Sequence, residues 1–244
     1  MKKFLTLLLA AAMIFALAAC GTTPNPVDNN AQGDAPIEMP QITELYNEDI
    51  DYTDGVGNSG HYTYRVPQIA ANTQGAANIN KSIEETYSPI VKEVLDNVSG
   101  GFSLSCLYVT WATYQYGSIL SLVVSCGWDG DVNHYDVYLY DIASGQQLTT
   151  VDLLKALNVD ETAFLDAVRQ TASECFDNQY SDMPEGAGAV LAERRDWTLS
   201  DDNINMDVPT YADAAGKLHV VLPIGSIAGA DAYEQVLTLD GIGE

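Results

Sequence analysis

Between Tyr62 and Tyr140 the apolar residues change period twice, and this order restricts the fold more than any other feature of the 244-residue chain. Tyr62, Tyr64 and Val66 alternate with polar residues and stop at Pro67, the period-two signature of a half-buried strand. Ile79, Ile83, Tyr87, Ile90, Val91, Val94, Leu95 and Val98 then recur at helical spacing, with Pro89 as a kink and Gly100-Gly101 as the stop. Three strand-like runs follow: Phe102 to Tyr114, Ser118 to Trp128 and Tyr135 to Tyr140. Gly117 and the segment Asp129 to His134 supply the turns between them. Short turns between consecutive strands imply an antiparallel meander.

Leu153 to Leu157 reads as a helical turn. Glu161 to Phe176 reads as an amphipathic helix with Phe164, Ala167, Val168, Ala172 and Cys175 inward. After a polar loop, Trp197 to Met206, Leu218 to Leu222 and Gln235 to Leu239 return to strand character. Runs of strands broken by two long helices predict an α+β fold, an antiparallel meander packed by those helices. Residues 47–244 are enough for one compact domain, or two small lobes sharing a sheet. Gly55-Val56-Gly57-Asn58-Ser59-Gly60 matches the GxGxxG pattern formally. A dinucleotide site needs a helix next, and a strand pattern follows instead, so this segment is predicted to be a hairpin loop.

The amino terminus carries an address. Lys2 and Lys3 precede an apolar run from Phe4 to Leu17, and Leu17-Ala18-Ala19-Cys20-Gly21 follows. A short basic start, an apolar core and small residues before a cut site mark a secretory signal peptide over residues 1–19. The run is too short to cross a bilayer, which takes roughly 20 residues. It resembles the lipobox of bacterial lipoproteins, which implies a diacylglyceryl group on Cys20 and anchoring to the outer face of the cell membrane. Two acyl chains suffice for stable anchoring. Residues 20–46, rich in Thr, Pro, Asn and Gln, read as a disordered tether.

Charge narrows the partners. The whole chain carries −24, and removing the leader leaves eight basic against 34 acidic side chains, a formal charge of −26. Such a surface repels nucleic acid, which needs basic patches, and steers cationic proteins inward. Solubility alone is the simpler account of the same charge.

The order of short motifs carries a family resemblance. Tyr64-Arg65-Val66-Pro67-Gln68-Ile69 is followed by Asn78-Ile79-Asn80-Lys81-Ser82-Ile83, then Tyr140-Asp141-Ile142-Ala143-Ser144-Gly145, Leu148 to Leu154 with Asp152 inside, and Val220-Val221-Leu222-Pro223-Ile224-Gly225-Ser226-Ile227. From roughly Ile50 to Leu239 the chain resembles the extracytoplasmic domain shared by RsiV-type anti-sigma factors and PdaC-type peptidoglycan deacetylases. The resemblance implies a non-catalytic α+β module, which binds lysozyme in the anti-sigma branch and precedes the enzyme domain in the deacetylase branch. The transmembrane and sigma-binding segments of the first branch and the catalytic domain of the second have no counterpart in this sequence. No catalytic residue of the family maps onto it.

Signatures of chemistry are sparse. His61, His134 and His219 are the only histidines, and none has metal-binding spacing. No nucleophile elbow, phosphate loop or Ser-x-x-Lys motif occurs, although a convergent triad can assemble from distant residues. Asp129, Asp131 and Asn133 begin like a calcium loop, but His134 and Tyr140 stand where glycine and glutamate are required. The run Asp201, Asn203, Asn205, Asp207 fails likewise at Met206, so both read as polar turns, with calcium the weaker alternative and no other cofactor expected. A three-residue loop at Gln115-Tyr116-Gly117 would place Cys106 opposite Cys126, as a disulfide or as two buried thiols. Cys175 reads as a core thiol. The sequence therefore predicts a surface-tethered binding module for a cationic wall-degrading enzyme such as lysozyme, ahead of a hydrolase assembled only in the fold and of peptidoglycan or glycan binding through aromatic side chains.

Overall fold

The computed structural model describes residues 37–130, 132–184 and 187–242. β1 (Ile42–Thr53) and β2 (Ser59–Ile69) form an antiparallel hairpin. The helix α1 (Gln74–Gly100) carries the chain across to β3 (Cys106–Tyr116), which runs parallel to β2 through only two residue pairs, Thr63 with Tyr108 and Tyr64 with Val109. β4 (Ile119–Trp128), β5 (Val132–Asp141) and the short β6 (Gln146–Leu148) complete an antiparallel meander, so the six strands lie in sequence order. The helices α2 (Thr150–Ala156), α3 (Glu161–Gln179) and α4 (Gly188–Thr198) follow. A second sheet of β7 (Thr210–Ala212), β8 (Leu218–Gly225) and β9 (Ala232–Thr238) ends the fold. Pro36–Glu244 forms one compact α+β unit, with two sheets where a single shared sheet was the alternative.

Strand pleating explains the layers. In β4, Leu120, Leu122, Val124 and Cys126 point to one face and pack with Ile79, Ile83, Tyr87 and Val91 of α1. The intervening Ile119 and Val123 point the other way and join a core with Phe164, Val168, Ala172 and Phe176 of α3 and with β8. α1 thus covers one face of the large sheet, and the small sheet, backed by α3 and α4, covers part of the other. Each fully buried Leu, Val or Phe contributes about 1.5–3 kcal/mol. A strand buried on both faces reads as a continuous apolar run, and Ile119 to Val124 is one, interrupted by Ser121, whose Oγ donates to the Ala212 carbonyl across the layers.

Several sequence expectations are corrected. β1 begins at Ile42, inside the span assigned to the tether (20–46). It is an edge strand in which Asp49 and Asp51 point outward and an exposed Glu48 interrupts the face of Tyr46, Ile50 and Tyr52, masking its alternation. β2 does not stop at Pro67 but runs to Ile69, because Pro67 faces Glu44 beside a bulge at Leu45. Trp197 to Met206 is not a strand: the helix α4 extends to Thr198, and turns follow. The Arg195 guanidinium, bonded to Asp177 and Ser173 of α3, ties that helix in place, while Asn203 and Ser200 donate to the Trp197 carbonyl and end it. The β3–β4 loop has two residues rather than three, with Gly117 at φ +57°. Tyr114 therefore pairs with Ser121 instead of Ser118, Cys126 with Val109, and Cys106 with Trp128. Cys106 and Cys126 do not face each other, and of the two readings, disulfide or buried thiols, the structure has both as free, buried thiols.

Candidate functional site

The tip of the β1–β2 hairpin docks on the segment that leaves α1. Asp54 makes the turn: its carboxylate accepts the Asn58 and Val56 backbone N–H groups at 2.8 and 3.0 Å and the Ser103 hydroxyl at 3.0 Å. These bonds, the one from Asn58 first, hold the Asp54 carboxyl below its ordinary value although desolvation opposes them. The Gly55 N–H donates to the Gly101 carbonyl and the Tyr52 hydroxyl to the Phe102 carbonyl. The Gly55–Gly60 glycines thus serve a hairpin, as their sequence context predicts.

Between tip and sheet lies a cleft of about 460 Å³. Its polar lining comes from Tyr52, Asp54, Asn58, Tyr62 and Asp129, and its apolar floor from Leu104 and Leu107. Two large apolar residues close in the chain to its lining are exposed: Val56, between Asp54 and Asn58, at 81%, and Phe102, next to Ser103, at 64%. The position of Phe102 follows from the helix cap. Gly101 closes α1 in the left-handed conformation, and the N–H of Phe102 returns to the Asn97 carbonyl. The residue after such a cap commonly folds back onto the last helical turn. Here too the ring lies against Gly100, the last residue of α1, with its other side in water.

The histidines do not assemble an acid–base centre. His61 is paired with Asp51 on the exposed hairpin. His134 sits between two carboxylates, Nδ1 at 2.9 Å from Glu234 of β9 and Nε2 at 3.4 Å from Asp136. Bonding to Asp136 and to Glu234 pushes its pKa up to about 10, so at neutral pH it is an imidazolium with both nitrogens occupied and cannot accept a proton. Cys126 stands opposite it across the strands, but burial pushes that thiol up, so no nucleophile is activated. Burial opposes the charge on Asp136, yet the His134 bond and the Tyr87 hydroxyl at 3.0 Å keep its carboxyl below the usual range. Glu234 also accepts the Tyr135 N–H on the free edge of β5. The group clamps β9 to β5 and α1.

His219 stacks on Tyr211 at 4.8 Å and lies 3.0 Å from the Thr238 hydroxyl and 3.5 Å from Asp213. Although this is the order of a relay, Thr238 is itself exposed, and Asp213 is engaged by the Ala215 and Lys217 N–H groups. The calcium candidates make local hydrogen bonds, in turns and across strands. Asp129 accepts the Gly130 N–H, Asn133 accepts the Tyr108 hydroxyl at 2.6 Å, and Asn205 accepts the Asp207 N–H. Asp131 and Cys20 lie outside the described residues. Among the described residues no group of three or more His, Cys, Asp or Glu is poised around a metal, and no helix is long and apolar enough to cross a membrane. Cys175 is half-buried, its thiol raised by burial and donating to Gln235.

Of the cleft lining, the sequence pointed to Tyr62 as a strand residue, Asn58 as part of the hairpin loop and Asp129 as a calcium candidate, none of them as a binding residue. The available signal was Phe102 directly after Gly100-Gly101, an apolar residue following a helix stop.

No protein-family model matches the chain, and no curated protein matches it. Solved structures similar in outline include two of one family. One is a DUF3298 family protein from Pseudomonas aeruginosa, 11% identical, covering 84% of this chain and 92% of that one, with a TM-score of 0.44. The other is a member of the same family from Bacteroides fragilis, also 11% identical over 84% and 92%, with a TM-score of 0.39. At that distance the likeness carries no functional information, and the side chains of the clefts must supply it.

Proposed function

We propose that the chain is a lipoprotein, tethered through Cys20 to the outer face of the cell membrane, whose domain binds a cationic protein in the hairpin cleft. A wall-degrading enzyme such as lysozyme is the partner chemistry it fits. What supports this reading is the exposure of Phe102 and Val56, close in the chain to Ser103 and to Asp54 and Asn58, residues of a cleft lined also by tyrosines and Asp129. An apolar anchor beside carboxylates suits an amphipathic cationic surface, with the aromatic group giving affinity and the charge giving rate and selectivity. Six of the eight basic side chains after residue 20 are already held by acids, so the remaining acids dominate the outer field. The resemblance to the RsiV and PdaC extracytoplasmic domain points the same way.

Titration of the purified, leaderless domain with lysozyme at physiological salt should give saturable one-to-one heat. Phe102→Ala is expected to weaken that binding about 10- to 30-fold, the loss of an exposed aromatic anchor. Because Phe102 is exposed, folding stability should stay within about 0.5 kcal/mol. Asp129→Asn should mainly slow association and flatten its salt dependence. No saturable heat, or unchanged affinity in Phe102→Ala, would reject the cleft as the binding surface. The anchor is tested separately: Cys20→Ser should move the chain from the membrane fraction to the soluble one in the bacterium that makes it, and retention on membranes would contradict lipidation.

A further inference from the structure

The small sheet covers only part of the large one. Where it falls short, a second cleft of about 310 Å³ lies over the free half of β3 and β4. Thr110, Ala112, Val123 and Ser125 line it from the large sheet, four small residues that strand pleating turns to one face. Tyr114 and Tyr135 from the large sheet and Tyr211 from β7 are aromatic residues of the same lining.

Two properties of this lining point to a ligand class. In a chain with 34 acidic residues, no lining residue is Asp, Glu, Lys, Arg or His. A charged ligand entering here would lose water and meet no counter-charge. The polar groups are hydroxyls instead. Thr110 and Ser125 bond each other at 2.9 Å, which leaves acceptor sites on both oxygens, and three tyrosines add theirs. The second property is the ring ladder. Tyr211 is sandwiched between His219 at 4.8 Å and Tyr114 at 5.1 Å, so both of its faces are taken, and half-buried Tyr114 ends the ladder in the cleft. Aromatic faces joined with neutral hydroxyl donors and acceptors, and no charge, match a sugar ring, which offers an apolar C–H face and a hydroxyl edge.

We infer that this cleft binds a ring of a neutral saccharide, its C–H face against Tyr114 and its hydroxyls directed to Thr110, Ser125 and Tyr135. The inference is independent of the hairpin cleft, which is built from other residues. The probe is N,N′,N″-triacetylchitotriose, titrated into the purified chain and followed by calorimetry. Saturable binding is expected. Ala112 is exposed in the floor, so Ala112→Phe should fill the cleft and reduce affinity at least 10-fold without changing the circular dichroism. Tyr114→Ala should weaken binding about 10-fold. Phe102→Ala should leave saccharide binding intact, and Ala112→Phe should leave lysozyme binding intact, so the two sites fail separately. Absence of saturation by the trisaccharide, binding indifferent to Ala112→Phe, or a cleft that takes a proline-rich peptide but no sugar would each overturn the assignment.

Discussion

Gly75→Ala is expected to destabilise the domain by about 1–3 kcal/mol, the usual cost of forcing a methyl into a packed site. Helix propensity and unfolded-chain entropy both favour alanine over glycine, by up to about 1 kcal/mol each, so the sign alone is informative. Gly75 lies in the first turn of α1, pressed on the β5–β6 turn, and its N–H donates to the Gly145 carbonyl. A Cβ there would stand 2.5 Å from the Gly145 oxygen and from the Gln147 nitrogen, both backbone atoms that cannot rotate aside. The helix start would have to lift, straining the contact between Thr73 and the Tyr140 hydroxyl as well. Urea unfolding gives the measurement: a lowered midpoint at constant slope is the expected result. A midpoint unchanged or raised would show that the turn can yield.

His134→Gln should remove about 1.5–3 kcal/mol, the range for hydrogen bonds to charged groups, and reshape the pH dependence of stability. The imidazolium has a folded pKa of about 10 against an ordinary 6.5, so its stabilisation is fully present below pH 6.5 and is lost as pH rises through about 10. Asp136 has the opposite sign: its carboxyl is held below 3.8, so its contribution is present above that pH and disappears as acid protonates it. The wild-type domain should therefore be most stable from about pH 4 to 6.5 on account of this clamp and weaken steadily toward pH 10. In His134→Gln the alkaline decline should flatten, with denaturant midpoints across pH as the readout. Parallel profiles for the two proteins would mean that β9 is held to β5 by other contacts.

How far the sequence foretold this structure depended on whether the signal was local. The inward residues of α1 are legible because Ile79, Ile83, Tyr87, Val91 and Val94 pack on one sheet face, and a single packed face imposes a period of 3.6. α4 is not, because most of it is exposed or half-buried and its position depends on Arg195 meeting Asp177, a contact between helices that leaves no period in either. The register of β3 and β4 turned on where the loop falls: it is Gly117-Ser118 instead of residues 115–117, which moves every facing pair by two or three residues, the cysteines included. The hairpin cleft was invisible for a related reason: the Asp54–Ser103 bond that shapes it joins residues 49 apart. The inter-sheet cleft joins Thr110 to Tyr211, farther still.

The burial of β4 on both faces has a thermodynamic corollary. The apolar residues divide into two clusters, one under α1 and one under α3, which by themselves suggest two units able to melt in turn. They share a strand, however, and β4 is also hydrogen-bonded on both edges, to β3 and to β5. Losing either cluster exposes one side of β4 and loosens the backbone that presents the other side, so neither can open far without the second. The two clusters are two halves of one cooperative transition.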